Sequence, residues 1–298
     1  MQRRLREPAD SGELKDLTDF FHTENADICT CGNCGLLVRN EHEPPPVRQY
    51  AEEEYDPEVM DHLFPRYVNA FRKKEDPYRG LLQEGARVLE IGSHYGAFLQ
   101  VAKGWGWRAE GIDPGKDTSR FAESKGSTVH NVALEEAILP EASFAGIFIW
   151  NCFEQMEQPQ NSLAVCRRAL APGGLFTIRT PNGKFYSLCR QLLRDESTGA
   201  VERDFLLRVM GYNNLLGFPY LYGYSSDTLM RLISPHGFRY EGALNSELLT
   251  FPLPDNLEWV EREERAINKD VRLRANSVLA DGSGSLIGPW IEMWFRAV

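Results

Sequence analysis

Residues 88–96 constrain the fold of this chain more than any other segment. A short apolar run reaches an acid at Glu90, glycines follow at Gly92 and Gly96, and a mostly apolar segment comes next. This order predicts a strand, a tight turn and the start of a helix. A helix N-terminus presents free backbone N–H groups to a ligand, and glycine allows the backbone to approach that ligand closely.

From Arg87 onward, strand patterns alternate with helix patterns. The predicted strands cover 87–91, 109–113, 128–129, 144–150, 175–179, 238–243 and 290–295. The predicted helices cover 56–74, 96–104, 116–125, 160–169 and 225–235. Such alternation indicates parallel βαβ units, so we expect an α/β fold with a doubly wound, mostly parallel seven-stranded sheet. Pro65 predicts a kink or break in the first helix.

A length of 298 residues predicts one large domain, or one domain with additions. We expect a cysteine-containing N-terminal extension over 1–50 and a main domain over 51–298. Two inserts interrupt the alternation: an aromatic-rich one at 181–224, and one at 244–289 with a charged helix near 256–274. The first is expected to be a substrate lid, because loops on a rigid scaffold usually carry specificity. A helical cap or a dimer contact is the alternative.

Composition excludes some classes of partner. The net charge is −10, with 43 acids against 33 bases, which argues against a nucleic-acid footprint. No apolar stretch approaches the ~20 residues that span a bilayer, and the N-terminus lacks the apolar segment of a signal peptide. We therefore expect a cytoplasmic protein whose six cysteines are thiols or metal ligands rather than disulfides.

Polar residues follow the predicted strands at the edge where α/β sheets bind ligands. Asp113 ends the second strand, 21 residues after Gly92 (113 − 92), a spacing that suits a carboxylate binding a ribose diol. Asp113 can also cap the next helix, with Pro114 at its first position. Asn151 follows the strong apolar strand at 144–150. We therefore expect a nucleoside-containing ligand at this edge.

The turn differs from a dinucleotide fingerprint, which requires a glycine where this chain has His94. Glu90 also disfavours a diphosphate and suits a ligand that carries an ammonium group. An NAD(P)-dependent oxidoreductase remains an alternative interpretation. A non-catalytic binding protein that retains the fold is another.

Further segments continue the pattern in a fixed order. They are Leu139-Pro140, 153–159, the Pro-Gly-Gly turn within 168–174, and Thr180-Pro181-Asn182. Together with the glycine turn and Asp113, region 87–182 resembles a class I S-adenosylmethionine-dependent methyltransferase of the ubiquinone or secondary-metabolite type.

The resemblance implies a Rossmann-like fold and methyl transfer to a small-molecule acceptor such as a sugar, a quinone or a secondary metabolite. S-adenosylmethionine would be the cofactor and S-adenosylhomocysteine the product. The cofactor-binding residues that it implies are Glu90, Gly92, Ser93, His94 and Gly96 around the methionine part, Asp113 at the ribose, Leu134 near the adenine and Asn151 near the methyl donor. His94 either brings its ring into the site or is a surface residue that tolerates the turn.

The catalytic residue is not identified by the sequence. A hydroxyl acceptor needs a base, for which Tyr186, Tyr224 and His236 are candidates by position alone. In ubiquinone-type O-methyltransferases, a histidine and nearby acids resemble a metal or base site, and only Glu154 of that set remains here. Glu154 is otherwise a solvated charge at a helix start. We therefore do not expect a catalytic metal.

Cys29, Cys31 and Cys34 resemble half of a zinc knuckle, whereas tetrahedral zinc needs four ligands. They are similar to the second half of a cysteine-rich module that precedes some sugar and secondary-metabolite methyltransferases. The earlier cysteine pair of that module is absent, and His22 is the nearest other donor. We expect a remnant with free thiols, with bound zinc as the alternative.

A homodimer is a further possibility that the sequence alone does not decide.

Overall fold

The computed structural model describes residues 28–39, 56–213, 215, 221–246, 286 and 288–298. The chain divides into two compact units. The first unit takes its described residues from 1–43, 181–226 and 244–291, and the second takes them from 44–180, 227–243 and 292–298. The charged helix predicted near 256–274, most of the 244–289 insert and His22 lie outside the described residues. The domain boundary predicted at residue 50 therefore stays a prediction.

The strands follow the predicted alternation closely. In chain order they are β1 (Ile28–Thr30), β2 (Leu37–Arg39), β3 (Arg87–Ile91), β4 (Arg108–Ile112), β5 (Thr128–His130), β6 (Phe144–Trp150), β7 (Leu170–Pro181), β8 (Tyr222–Gly223), β9 (Phe238–Ser246) and β10 (Trp290–Ala297). One sheet has the order β1-β2-β8, and the other has the order β5-β4-β3-β6-β7-β10-β9. The predicted seven-stranded sheet is confirmed.

Most pairs in the large sheet are parallel: β4 with β5, β3 with β4, β3 with β6, and β6 with β7. Strand β10 runs the other way. Arg179, near the end of β7, lies beside Glu292 at the start of β10, whereas Arg296, near the end of β10, donates to the Gly173 carbonyl near the start of β7. The carboxyl ends of β3 to β7 therefore share one edge, where ligands bind in such sheets.

The helices connect the strands on the pattern that the sequence predicts. They are α1 (Pro57–Arg72), α2 (Glu75–Tyr78), α3 (Ala97–Gly104), α4 (Lys116–Ser124), α5 (Pro159–Ala169), α6 (Gly183–Arg194), α7 (Ala200–Tyr212) and α8 (Ser226–Ile233). Helix α1 runs through Pro65 without the break that its sequence predicted, and Pro65 is exposed. None of the helices in the described ranges has the length and apolar character needed to cross a membrane.

Aromatic side chains pack the core of the second unit between α1, α3 and the sheet. The Phe98 ring lies 4.8 Å from that of Phe148 and 5.3 Å from that of Trp150, and Phe71 of α1 lies 5.4 Å from Phe98. Such pairs add to the free energy gained by burying apolar area. This core fixes α1 and α3 beside β3, and so fixes the turn between β3 and α3.

The first unit has a core of its own. Helices α6 and α7 form most of the described part of the 181–224 insert, and their apolar faces pack with Leu37 of β2. Asn182 caps α6 by accepting the Lys184 N–H (3.1 Å), and its amide donates to the carbonyls of Leu286 and Gly288. The Thr-Pro-Asn segment therefore has a structural role at its asparagine.

Candidate cofactor site

The glycine turn is held to β4 by its own backbone. The N–H groups of Gly92 and Ser93 donate to the Ile112 carbonyl at 2.8 and 3.1 Å, and the Gly96 N–H donates to the Ser93 carbonyl at 2.8 Å. Gly92 has φ +71°, and Gly96, which precedes α3, has φ +73°. Because other residues adopt this region at a cost, the glycines fix the path of the turn.

Asp113 fastens the turn to the start of α4. Its Oδ2 accepts the His94 N–H (2.7 Å), and its Oδ1 accepts both the Gly115 N–H (2.9 Å) and the Thr118 hydroxyl (2.9 Å). A carboxylate has about four acceptor positions, so these bonds leave one, on Oδ2. Helix α4 begins at Lys116 with Gly115 as its N-cap, so the predicted cap at Asp113 with Pro114 at the first helical position is wrong. One acceptor position on Asp113 remains for a ligand hydroxyl.

His94 takes a left-handed backbone conformation, with φ +46°, at the place where the family pattern has glycine. Its ring packs 3.7 Å from the Tyr95 ring and 6.2 Å from that of Tyr67 on α1, and the residue is half-buried. His94 is therefore not a plain surface residue. Tyr67, which the sequence did not single out, connects α1 to the turn.

Gly92→Ala is expected to lower the free energy of unfolding by about 3 kcal/mol. An added Cβ would lie 2.7 Å from the Cys152 Sγ, which costs about 1–3 kcal/mol by overpacking. The left-handed conformation adds about 1–2 kcal/mol. Gly126→Ala is the matched control, because Gly126 has φ +81° with nothing within 4 Å of the added atom. Urea unfolding should show a smaller loss in the control, and equal losses would contradict the close packing.

Three acids surround Cys152 at the carboxyl edge. Burial raises the pKa of the Cys152 thiol well above its usual range, and the charges of Glu154, Asp113 and Glu90 raise it further. Burial, and then Asp113, likewise raise the pKa of Glu90. Glu90 is 3% exposed, and its Oε2 has no hydrogen-bond partner in the described structure. A buried polar atom without a partner is costly, so this place fits a cationic ligand group.

The other predicted cofactor residues lie at the same edge of the sheet. Asn151 follows β6 with φ +60°; its N–H donates to the Arg179 carbonyl (3.0 Å), and its Oδ1 accepts from the Arg179 guanidinium. Leu134 is buried in a short 3-10 helix beyond the end of β5. Ser93 is buried, and its hydroxyl is unpartnered among the described residues. Arg179 was not anticipated, because a strand residue carries no local signal of its contacts.

The residues proposed by position as bases are not all brought to this edge. His236 precedes the start of β9. The carbonyl of Gly237, which follows His236, accepts a hydrogen bond from Arg167 in the last turn of α5. That turn lies at the opposite edge of the sheet. Tyr186 is fully buried in the core of the first unit, which raises its pKa. Tyr224 is also buried.

Glu154 is the acid that the structure places differently from the solvated charge considered above. It is 1% exposed; its Oε2 accepts the Thr180 hydroxyl (3.2 Å), and its Oε1 is unpartnered within the described ranges. Burial raises the pKa of Glu154 to about 7, which hydrogen bonds and Arg179 only partly oppose. It lies after β6, and Thr180 lies at the end of β7, so both belong to the ligand-binding edge.

The stability of the chain is expected to depend on pH through the protonation of Glu154. Its folded pKa, about 7, exceeds the ordinary value of 4.5, so the native state binds the proton more tightly than the unfolded state. Its contribution to stability is therefore fully present below pH 4.5 and is lost as the pH rises to about 7, a change of about 3 kcal/mol. Glu154→Gln removes this loss, because the amide stays neutral.

Urea unfolding of both proteins between pH 4.5 and 8 tests this expectation. The stability of Glu154→Gln relative to the parent should rise by about 3 kcal/mol across that interval. The same comparison for Glu136→Gln, at an exposed acid, should show no trend. A constant difference for Glu154→Gln would contradict a raised pKa.

The cysteine cluster forms the β1–β2 hairpin of the first unit. The Cys31 N–H donates to the Leu36 carbonyl, and the Cys31 pKa is lowered by backbone and thiol hydrogen bonds from Cys34 and by the Asn33 backbone. All six cysteines are free thiols. No three His, Cys, Asp or Glu side chains in the described ranges could together hold a metal ion.

Comparison with known proteins identifies the family. A family model described as a methyltransferase domain matches residues 54–242. A proposed methyltransferase of Haloferax volcanii, solved in complex with the Trm112 methyltransferase activator, is 13% identical over 86% of this chain and 99% of that one, with a TM-score of 0.54. A proposed S-adenosylmethionine-dependent methyltransferase of Listeria monocytogenes is 14% identical over 78% of this chain and 99% of that one, with a TM-score of 0.51.

No curated protein sequence matches this chain. At such low identities, the solved structures establish the fold, and the family match covers more than half of the residues. The resemblance seen in region 87–182 is thus confirmed. The chain belongs to the methyltransferase-domain family.

Proposed function

We propose that this methyltransferase acts on a small molecule of the sugar, quinone or secondary-metabolite class. The observation that carries the cofactor part of the proposal is the acidic edge around Cys152, where the Glu90 Oε2 is buried without a described partner. S-adenosylmethionine carries a sulfonium and an ammonium group, and carboxylates favour both. A dinucleotide brings a diphosphate, which the same acids repel.

Each cofactor contact is assigned to a residue already placed at this edge. Glu90 takes the ammonium group, and the turn from Gly92 to Gly96, with Ser93 and His94, lies beside the methionine part. The open position on the Asp113 Oδ2 accepts a ribose hydroxyl. Leu134 packs near the adenine, and Asn151 lies near the methyl donor. The bound sulfonium supplies an activated methyl group.

Glu154 is the best candidate for a proton acceptor. The acceptor's hydroxyl or amine must lose a proton as it attacks, and a base works best with a pKa near the working pH. The Glu154 pKa of about 7 meets that condition, and its Oε1 has no described partner. Tyr186, in the core of the first unit, is less suited because burial raises its pKa. The acceptor lid over 181–224 and a homodimer stay part of the proposal.

Calorimetry with S-adenosylmethionine, S-adenosylhomocysteine and NAD tests the cofactor part. The first two should bind with one site per chain, and NAD should give no heat. Incubation with methyl-labelled S-adenosylmethionine and a panel of sugars, quinones and phenols then tests the acceptor class. Binding without transfer to any member would instead support a non-catalytic protein, and NAD binding would contradict the proposal.

A further inference from the structure

A cavity in the first unit has the lining of an anion site, which methyl transfer does not require. Its volume is about 380 Å³, within the range of pockets that hold small organic ligands. One wall comes from α6, and Thr30 of β1 and Leu37 of β2 form the other. The cavity thus lies where the cysteine hairpin meets the first helix of the aromatic insert, two features that the cofactor site does not use.

The α6 wall is a single helical face. Ser187, Arg190, Gln191 and Arg194 are spaced by three and four residues, so they lie on one side of the helix, and all four line the cavity. The opposite side of α6 packs into the core of the first unit through Phe185 and other apolar residues. The orientation of α6 is therefore fixed by its core, and its polar face is directed into the cavity.

Positive charge dominates this lining. Arg190 is 9% exposed and lies 5.7 Å over the Tyr186 ring, and Arg194 stands one turn further on. Arg190, Arg39 and Arg194 all act on the Tyr186 hydroxyl, opposing the rise in its pKa that burial causes. Two like charges four residues apart on a helix repel each other, so an anion between them would relieve a cost.

Asp195 is the carboxylate in the lining. Its Oδ1 accepts both the N–H (2.9 Å) and the hydroxyl (2.7 Å) of Ser197, in the turn that follows α6. The lining thus has two arginines against one carboxylate, a formal excess of one positive charge. The remaining polar lining, from Thr30, Ser187 and Gln191, can donate hydrogen bonds.

We propose that this cavity binds a small phosphorylated molecule, with its phosphate between Arg190 and Arg194 and its polar body against Thr30, Ser187 and Gln191. Guanidinium groups match phosphate geometry through paired N–H donors. The cavity is larger than a phosphate ion, so the proposal commits to an organic phosphate. The residues that line the cavity belong to the first unit and the cofactor residues to the second, and failure of this proposal would leave the proposed methyl transfer untouched.

Calorimetry on the full chain tests the proposal with glucose 1-phosphate and inorganic phosphate as probes, each at matched ionic strength in sodium chloride. Glucose 1-phosphate should bind the parent in the millimolar range or tighter, and more tightly than inorganic phosphate. Arg194→Gln, at an exposed position, should weaken that binding by about ten- to a hundredfold, because it removes hydrogen bonds to a charged group. Arg194→Lys should retain part of it.

Arg120→Gln, at an exposed arginine of the second unit, is the matched control and should bind like the parent. S-adenosylhomocysteine affinity should be the same in Arg194→Gln and the parent, which shows that the variant is folded. Equal affinity of Arg194→Gln and the parent for glucose 1-phosphate would overturn the proposal. The proposal would also be overturned if the parent did not bind glucose 1-phosphate. Equal affinity of the parent for glucose 1-phosphate and inorganic phosphate would contradict the proposal that the ligand is an organic phosphate.

Discussion

Asp113→Ala is expected to weaken the binding of S-adenosylhomocysteine by at least about a hundredfold. The variant would remove the charged hydrogen bond that we propose between Asp113 and the ribose, worth about 1.5–3 kcal/mol. It also releases the turn, because Asp113 accepts the N–H groups of His94 and Gly115 and the hydroxyl of Thr118. A turn that must be ordered again on binding costs further affinity.

Thr118→Val separates these two effects, since it removes one bond to the Asp113 Oδ1 and leaves the carboxylate in place. Its affinity for S-adenosylhomocysteine should fall by less than about tenfold. Both variants are compared with the parent by calorimetry, after thermal unfolding has shown that each is folded. Unchanged affinity in Asp113→Ala would remove Asp113 from the cofactor site.

Glu292→Gln is expected to lower the free energy of unfolding by about 3–5 kcal/mol. Glu292 is fully buried at the start of β10, where its Oε1 pairs with Lys74 and lies 3.5 Å from the Arg179 Nε. Its Oε2 accepts the Tyr78 hydroxyl at 2.7 Å. Removing the charge leaves two cations in the interior, and neutralising one partner of a buried pair is far more costly than losing an exposed pair.

The pKa values of the cations show how they depend on Glu292. Burial lowers the pKa of Lys74, and Glu292 opposes that shift most strongly. Burial also lowers the pKa of Arg179 to about 10, again with Glu292 as the leading opposing charge. Without the carboxylate, Lys74 should lose its proton at a lower pH. The cost of the variant should therefore be smaller in alkaline solution.

Glu241→Gln is the matched control, at a partly exposed acid of β9 that pairs with Arg239 (3.0 Å) and Arg296 (2.9 Å). Exposed pairs contribute about 0–1 kcal/mol. Urea unfolding at pH 7 should therefore separate the two variants by at least about 2 kcal/mol. A similar, small loss in both would mean that the buried cluster around Glu292 contributes little to stability.

Much of the sheet could be predicted because its strands carry local signals. The apolar run at 144–150 matches β6 at both ends, and the glycine turn marks the end of β3 without any knowledge of the partner strands. Spacing alone placed Asp113 at the end of the next strand. Such patterns can be recognised in a single sequence because strand and turn formation depend largely on neighbouring residues.

The buried charges could not be predicted, since their environment comes from distant parts of the chain. Lys74, Arg179 and Glu292 meet only through the pairing of β7 with β10. Glu154 has the sequence surroundings of a surface acid, yet the ends of β6 and β7 enclose it. Burial and long-range partners are tertiary properties, and the sequence around a polar residue does not indicate them.

Binding of S-adenosylhomocysteine and 5′-methylthioadenosine to the parent and to Glu90→Gln tests the central claim most directly. Methylthioadenosine has the nucleoside and the sulfur but lacks the amino-acid part, so it cannot engage Glu90 through an ammonium group. Glu90→Gln should weaken S-adenosylhomocysteine about tenfold or more and leave methylthioadenosine unchanged. If both ligands keep their parental affinity, or neither binds the parent, the acidic edge around Cys152 is not the cofactor site.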